Sequence, residues 1–151
     1  MDAFPDHHLY ICGETPGSYA DDILEQIATR YADREFLTGQ IEHSEKYWLY
    51  AHCAAFLFPS KLEGFGLPIV EAMRFRCNIV ASQLTSIPEI AQDYISYWAD
   101  FTPEHMISVL QKALDIPQET LQRRHEEMYR YSQRFNYATY TAQYLDLYRR
   151  I

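Results

Sequence analysis

Five short apolar runs, each followed by a stretch with helical periodicity, set the strongest constraint on this chain. The runs are "HHLYICG" (7–13), "REFLTG" (34–39), "AAFLFPS" (54–60), "NIVAS" (78–82) and "YISYWA" (94–99). Between them lie "SYADDILEQIATRYA" (18–32), with Ile23, Ile27 and Tyr31 on one stripe, and "SEKYWLYAHC" (44–53), with Ser44 at the N-cap. A helix follows over 67–76, then a helical turn in "SIPEIAQ" (86–92). From Thr102 onward the pattern is helical: "TPEHMISVLQKALD" (102–115) carries Pro103 at N1, and two further helices follow. Alternation of this kind predicts an α/β fold, a parallel sheet with helices on both faces and right-handed crossovers. The run at 54–60 is apolar on both sides, as a buried parallel strand requires. With 151 residues, the chain reads as a single domain over 1–151 with one core.

Ligands of such sheets sit outside the carboxyl ends of the strands. Those ends are Gly13-Glu14, Gly39-Gln40-Ile41, Ser60 to Gly66, Ser82-Gln83 and Ala99-Asp100. One of them, "PSKLEGFGLPIVEAM" (59–73), sets two acids, Glu63 and Glu71, around a glycine-rich turn and a helix start. Gly64 and Gly66 permit a tight turn and a close approach of ligand to main-chain N–H groups. Pro68 suits the first helical position, where its missing N–H costs nothing. The free amides of that turn and the helix dipole make an anion site suited to phosphate. Glu71 lies about one turn into the helix, and helical side chains tilt toward the N-terminus, so its carboxylate reaches the rim of the same site. Beside a phosphate it makes sense as an acceptor for hydroxyls, such as a ribose diol, and Glu63 as an acceptor for a second polyol. Two diols flanking a diphosphate describe a nucleotide sugar. On spacing alone the plainer reading stands beside it: a helix-dipole acid and an exposed turn acid.

The whole stretch "FPSKLEGFGLPIVEAM" resembles the E-x7-E signature of retaining glycosyltransferases with the GT-B fold, in the large group 1 (family 4-like) group, and places its two acids at Glu63 and Glu71. The resemblance covers nearly all of the chain. "LYICGE" and "REFLTGQI" resemble the family's glycine-ended strands, and "NIVASQLTSIPEIAQD" its strand and following Pro-Glu pair, here Pro88-Glu89. "RFNYATYTAQYLDLYRRI" resembles the closing helix, with Asn136 at the N-cap. The resemblance implies a Rossmann-like domain, the C-terminal, donor-binding half of an enzyme that moves a sugar from a nucleotide diphosphate to a polysaccharide or glycolipid acceptor, with a mannosyltransferase-like cast. By resemblance, Glu71 holds the ribose hydroxyls. Glu63, Gly64, Phe65 and Gly66 meet the transferred sugar, with Glu63 as the catalytic residue, serving orientation and the oxocarbenium-like charge. The amide of Leu67 meets the diphosphate and main chain at Gln40 and Ile41 the base. Gly13, at the carboxyl end of a strand, and Lys61, the one cation of the signature loop, complete the candidate site, a solvated lysine being the other reading of Lys61. No cofactor and no metal are expected.

Where the family carries a small residue, a glycine and a proline after the signature helix, this chain has "RFRCN" (74–78); where it carries glycines before the Pro-Glu pair, this chain has Thr85 and Ser86. The resemblance also implies that an acceptor-binding N-terminal half and the first strand of the donor half lie upstream of Met1. This chain alone is then expected to be inactive, and the full-length enzyme to associate peripherally with a membrane. The alternative is a module of the same fold that binds a nucleotide sugar or a partner without transfer. A receiver-like signalling domain fits poorly, since its third strand needs a phosphorylatable Asp and this one ends in Pro59-Ser60.

Charge and composition narrow the classes further. A net charge of −8 argues against a nucleic-acid partner. Cys12, Cys53 and Cys77 show no paired spacing and read as buried reduced thiols of a cytoplasmic protein. No signal peptide is visible, and no apolar run approaches the ~18 residues of a membrane span. The six histidines lack metal-ligand spacing. Tyr137, Tyr140, Tyr144 and Tyr148 recur at helical spacing and read as core, part of the stripe being an interface with the other half.

Overall fold

The structure, a computed structural model, describes residues 1–14, 24, 25 and 27–150. Residues 18–23 and 26 of the helix expected over 18–32 lie outside the described residues; Ile27–Tyr31 is a short π-helical stretch with Ile27 buried. The chain divides into two compact units, Met1–Tyr47 and Trp48–Ile151. All five expected strands form and all pair in parallel, in two ladders rather than in one sheet.

In the first unit, β1 (Leu9–Cys12) pairs with β2 (Glu35–Gly39), Leu9 facing Glu35 and Ile11 facing Leu37, with the register slipping between Ile11 and Cys12. The slip falls where the chain leaves the ladder through Gly13, at φ 128°, whose N–H donates to the Gly39 carbonyl at 2.8 Å. Only residues free of a Cβ adopt φ values of 128° and, at Gly39, 68° without strain. The edge below is tied by Arg34, which donates to the carbonyls of Phe4 and Pro5 at 3.3 and 3.1 Å.

Helix α1 (His43–His52) runs through the boundary between the units. It begins one residue before the expected cap Ser44, and the side chain that closes its first turn is Glu45, accepting from the Glu42 N–H at 2.8 Å. A carboxylate three residues into a helix satisfies a donor as well as a hydroxyl at the cap does.

The second unit holds β3 (Phe56–Phe58), α2 (Leu67–Arg74), β4 (Ile79–Ser82), α3 (Ile87–Ala91), a 3-10 turn (Gln92–Tyr94), β5 (Ser96–Trp98), α4 (Pro103–Leu114), α5 (Gln118–Ser132) and α6 (Tyr137–Arg149). The ladder order is β3-β4-β5, with Leu57 opposite Val80 and Val80 opposite Ser96. The wholly buried strand is β4, not β3: all four of its residues are buried, while Phe56–Phe58 are half-buried. Alternation sends Ile79 and Ala81 to one face, against Ile69, Ala72 and Met73 of α2, Ile87 of α3 and Met128 of α5. Val80 points the other way, to Trp98 and to Met106, Val109, Leu110 and Ala113 of α4. Helices therefore cover both faces of this ladder. Two polar groups are drawn in and satisfied: Trp98 Nε1 donates to the Met106 carbonyl at 3.1 Å, and Asn78 Nδ2 to the Ala113 carbonyl at 2.8 Å. The second bond supplies a donor for the last turn of α4.

The end of α2 shows how the chain manages without a glycine. Cys77 N–H reaches back to the Ala72 carbonyl and Arg76 N–H to the Met73 carbonyl, both at 3.1 Å, the paired bonds of a Schellman ending. Its left-handed position belongs to Arg76, at φ 56°. The guanidinium lies 3.9 Å from the Tyr129 ring, and its Nε donates to Glu126 at 2.7 Å. These contacts offset a backbone cost of about 1–2 kcal/mol.

The tyrosine stripe is not core. Helix α6 buries no residue, and Tyr137, Tyr144 and Tyr148 are exposed. Its cap forms as expected, Asn136 Oδ1 accepting from Thr139 N–H at 2.9 Å. Of the three thiols expected to be buried only Cys77 is; Cys53 is half-buried, and Cys12, on the two-stranded ladder, is exposed. The thiols of Cys53 and Cys77 meet at 3.3 Å, a contact between residues 24 apart in sequence.

Two outcomes follow from this packing. Arg76→Ala keeps the left-handed strain and loses the ring and carboxylate contacts, whereas Arg76→Gly loses the contacts and the strain together. Urea unfolding should find the glycine variant about 1 kcal/mol more stable than the alanine variant; equal midpoints would remove φ at 76 as the reason. His125 carries a buried Nε2 with no hydrogen-bond partner among the described residues. Burial, then the charges of Arg124 and Arg76, lower its pKa, with Glu126 opposing. The fold thus favours the neutral ring, and the unfolded chain binds the proton first. The associated stability is complete above the ordinary histidine pKa of about 6.5 and is lost as pH falls through the lowered folded value. His125→Leu should flatten the decline in urea midpoint between neutral and mildly acid pH; an unchanged decline would show that this ring titrates alike in both states.

Candidate functional site

The turn before α2 is built from its glycines, though they do different work. Gly66 is the N-cap residue, buried, at φ 88° and ψ 45°. A Cβ there would lie 3.7 Å from Ile69 Cγ1, an ordinary contact, so the backbone angle rather than space requires glycine. Gly64 has no left-handed φ, and a Cβ there would meet nothing within 4 Å. The helix starts at Leu67, which puts Pro68 at the second helical position rather than the first. Its missing N–H is one of the unmatched donors of the first turn in either place. Among the described residues, the N–H groups of Gly64, Phe65, Gly66 and Leu67 donate to no other part of the chain. They form a cluster of free donors at the positive end of a helix dipole.

The two acids stand on either side of these amides. Glu63 is half-buried, and its main chain is held on both sides. Its N–H donates to Thr85 Oγ1 at 3.2 Å, and its carbonyl accepts from Ser86 Oγ at 3.1 Å. Three residues earlier, the Ser60 carbonyl accepts from Ser82 Oγ. Glu71 is half-buried on the first turns of α2, and the Tyr50 hydroxyl donates to its Oε2 at 3.4 Å. Burial first, and the charge of Glu71 second, push the Tyr50 hydroxyl pKa well above its ordinary value, so Tyr50 stays a donor. Lys61 is exposed, its ammonium 5.2 Å from the ring centre of Phe101. Phe65 packs edge-on to Phe135 at 5.9 Å and opens a groove with Tyr137, Tyr140, Thr141 and Tyr144.

The residues named from the sequence thus fall in two groups. Lys61, Glu63, Gly64, Phe65, Gly66, Leu67 and Glu71 share the carboxyl end of β3 and the start of α2 in the second unit. Gly13, Gln40 and Ile41 follow the carboxyl ends of β1 and β2 in the first, where Gln40 Nε2 donates to Glu14 Oε1 at 2.5 Å. Sequence reasoning missed Tyr50, Ser82, Thr85 and Ser86. Hydroxyl partners 22 residues away leave no periodic trace; the departure from the expected glycines at 85 and 86 was the one available signal. Among the described residues no three His, Cys, Asp or Glu side chains gather as a metal set, and no helix is long and apolar enough to cross a membrane.

Comparison with known proteins puts this geometry in a family. The chain is 38% identical over 77 residues to the O-antigen chain mannosyltransferase B of Escherichia coli, a match covering 50% of this chain and 20% of that protein. It is 39% identical over 82 residues to the serotype-specific mannosyltransferase WbdA of Escherichia coli, covering 51% and 9%. Among solved structures, Anabaena HepE in complex with UDP-glucose superposes with a TM-score of 0.80 at 21% identity, over 99% of this chain and 44% of that one. WaaG, a glycosyltransferase involved in lipopolysaccharide biosynthesis, does so with a TM-score of 0.64 at 17% identity, over 83% and 34%. The chain therefore spans less than half of each of these relatives, and its fold is that of a GT-B domain. The family described as glycosyl transferases group 1 matches residues 1–134, and this chain belongs to it.

Proposed function

We propose that this chain is the donor-binding part of a retaining glycosyltransferase that uses a nucleotide-diphosphate sugar and builds a polysaccharide or glycolipid, with mannose as the leading candidate sugar. The observation that carries the reading is the cluster of free amides from Gly64 to Leu67, bracketed by two half-buried carboxylates. Free amides at a helix start favour a diphosphate, and carboxylates beside it favour hydroxyls. Family membership and the mannosyltransferase relatives support the same reading. In it, Glu71 accepts from the ribose hydroxyls while Tyr50 holds its carboxylate. Glu63, with Gly64, Phe65 and Gly66, meets the transferred sugar. In the second unit Leu67 N–H and Lys61 meet the diphosphate; in the first, Gln40 and Ile41, with Gly13, are the proposed contacts of the base.

The transfer needs no protein nucleophile. The acceptor oxygen bonds to the anomeric carbon on the face from which the diphosphate departs, as that bond breaks, so configuration is retained, and the departing phosphate oxygen takes the acceptor proton. Stabilising that leaving charge is the work of the turn amides, and no metal is required. An acceptor-binding second half completes the cleft, and the chain alone binds donor without transferring it. We place the enzyme in the cytoplasm, with the full-length protein peripheral to a membrane.

Calorimetric titration with GDP-mannose and UDP-glucose tests the donor site. Glu71→Ala should weaken nucleotide-sugar binding by about 1–3 kcal/mol, the scale of a hydrogen bond to a charged group. Unchanged affinity would refute the role of Glu71. Joined to its acceptor-binding half, Glu63→Gln should lower kcat more than donor affinity, because its partner is the reacting sugar; equal turnover would leave Glu63 a turn acid.

A further inference from the structure

The connection between β4 and α3 reaches the signature turn through three hydroxyls, and two of them stand where the family resemblance leads one to expect glycine. Ser82 Oγ donates to the Ser60 carbonyl, Thr85 Oγ1 accepts from the Glu63 N–H at 3.2 Å, and Ser86 Oγ donates to the Glu63 carbonyl at 3.1 Å. Both main-chain groups of one residue are thus held by side chains from a segment 22 and 23 residues later. Ser82 is fully buried on the central strand, so the connection is anchored in the core. Thr85 sits at φ 53°, a conformation unfavourable for a β-branched residue. Strain of this kind persists where surrounding contacts over-determine it, and it gathers at functional sites. Glycine at 85 would adopt that angle freely and could not hold Glu63.

We propose that Thr85 and Ser86 are positioning residues that clamp the main chain of Glu63 and so set the aim of its carboxylate at the donor sugar. The role at the sugar rests on the function proposed above, while the clamp itself is a property of the unliganded chain. The clamp fixes Glu63 relative to β4, whereas Glu71 is fixed by its own helix and by Tyr50. It therefore governs discrimination for the sugar and leaves the grip on the nucleotide diphosphate alone.

Two measurements test the two halves of the proposal on the chain as it stands. In the unliganded chain, amide exchange at Glu63 by NMR should speed up on the order of ten-fold in Thr85→Val, which keeps the shape and loses the acceptor. Thr85→Ser should retain the wild-type rate. Thr85→Gly should lose protection as the valine variant does, while keeping or raising the melting temperature, because it also sheds the left-handed strain. Equal exchange rates in wild type and Thr85→Val overturn the clamp. NMR titrations then compare GDP and UDP with GDP-mannose and UDP-glucose. Thr85→Val and Ser86→Ala should erase the preference for nucleotide sugar over nucleotide diphosphate, leaving diphosphate affinity unchanged. Parallel losses on both kinds of ligand overturn the positioning role. If the wild-type chain binds none of the four probes, the functional reading fails and takes the sugar-aiming role with it, and the exchange rates still decide the clamp.

Discussion

Strand β4 has no face to water, and the second unit is organised around that fact. Four consecutive buried residues, Ile79 to Ser82, need apolar cover on both sides. Helices α2, α3 and α5 supply it on one side and α4 on the other. Burying an isoleucine or valine side chain is worth roughly 1.5–3 kcal/mol, several times a typical surface ion pair. Removing any covering helix would expose this strand, so the helices are not free to move independently of it. The site inherits that rigidity. Ser82 is the last residue of the strand and holds Ser60, and the next few residues hold Glu63.

The polar chemistry at the site then follows a division of labour. The left-handed Gly66 opens α2 and sets out its free amides, α2 carries Glu71, and the β4–α3 connection holds Glu63. Two carboxylates eight residues apart in sequence are thus governed by different parts of the fold. A single amphipathic helix could not do this, since it would fix both acids with one rotation.

The repeating patterns were the legible part of the sequence. Short apolar runs and helical periods gave every strand and all the helices of the second unit, because burial imposes those patterns directly. Asn136 as a cap came with the resemblance to the family's closing helix, and the cap forms because its chemistry is local. Three features were not legible. The end of α2 could not be assigned, since Arg76 at φ 56° depends on a ring and a carboxylate on α5. The tyrosine stripe of α6 has helical spacing, but spacing does not say whether a face is covered. The five strands read as one sheet, because apolar runs report burial and not which edges pair. At the site, both acids, the glycine turn and the helix start were visible; the hydroxyls behind Glu63 and the phenol behind Glu71 were not, being contacts between distant segments.

Helix α6 has a thermodynamic status of its own. With thirteen residues and none of them buried, it lacks the tertiary packing that supplies most helical stability in proteins. What remains is intrinsic propensity and the Asn136 cap, and an isolated helix of that length is marginal in water. Its helix–coil equilibrium is therefore not tied to the cooperative unfolding of the β4 core. Residue-resolved probes placed on α6 and on the β4 core will follow two processes, a frayed and gradual one in the helix and a sharp one in the core that buries Trp98. A single melting temperature describes only the second.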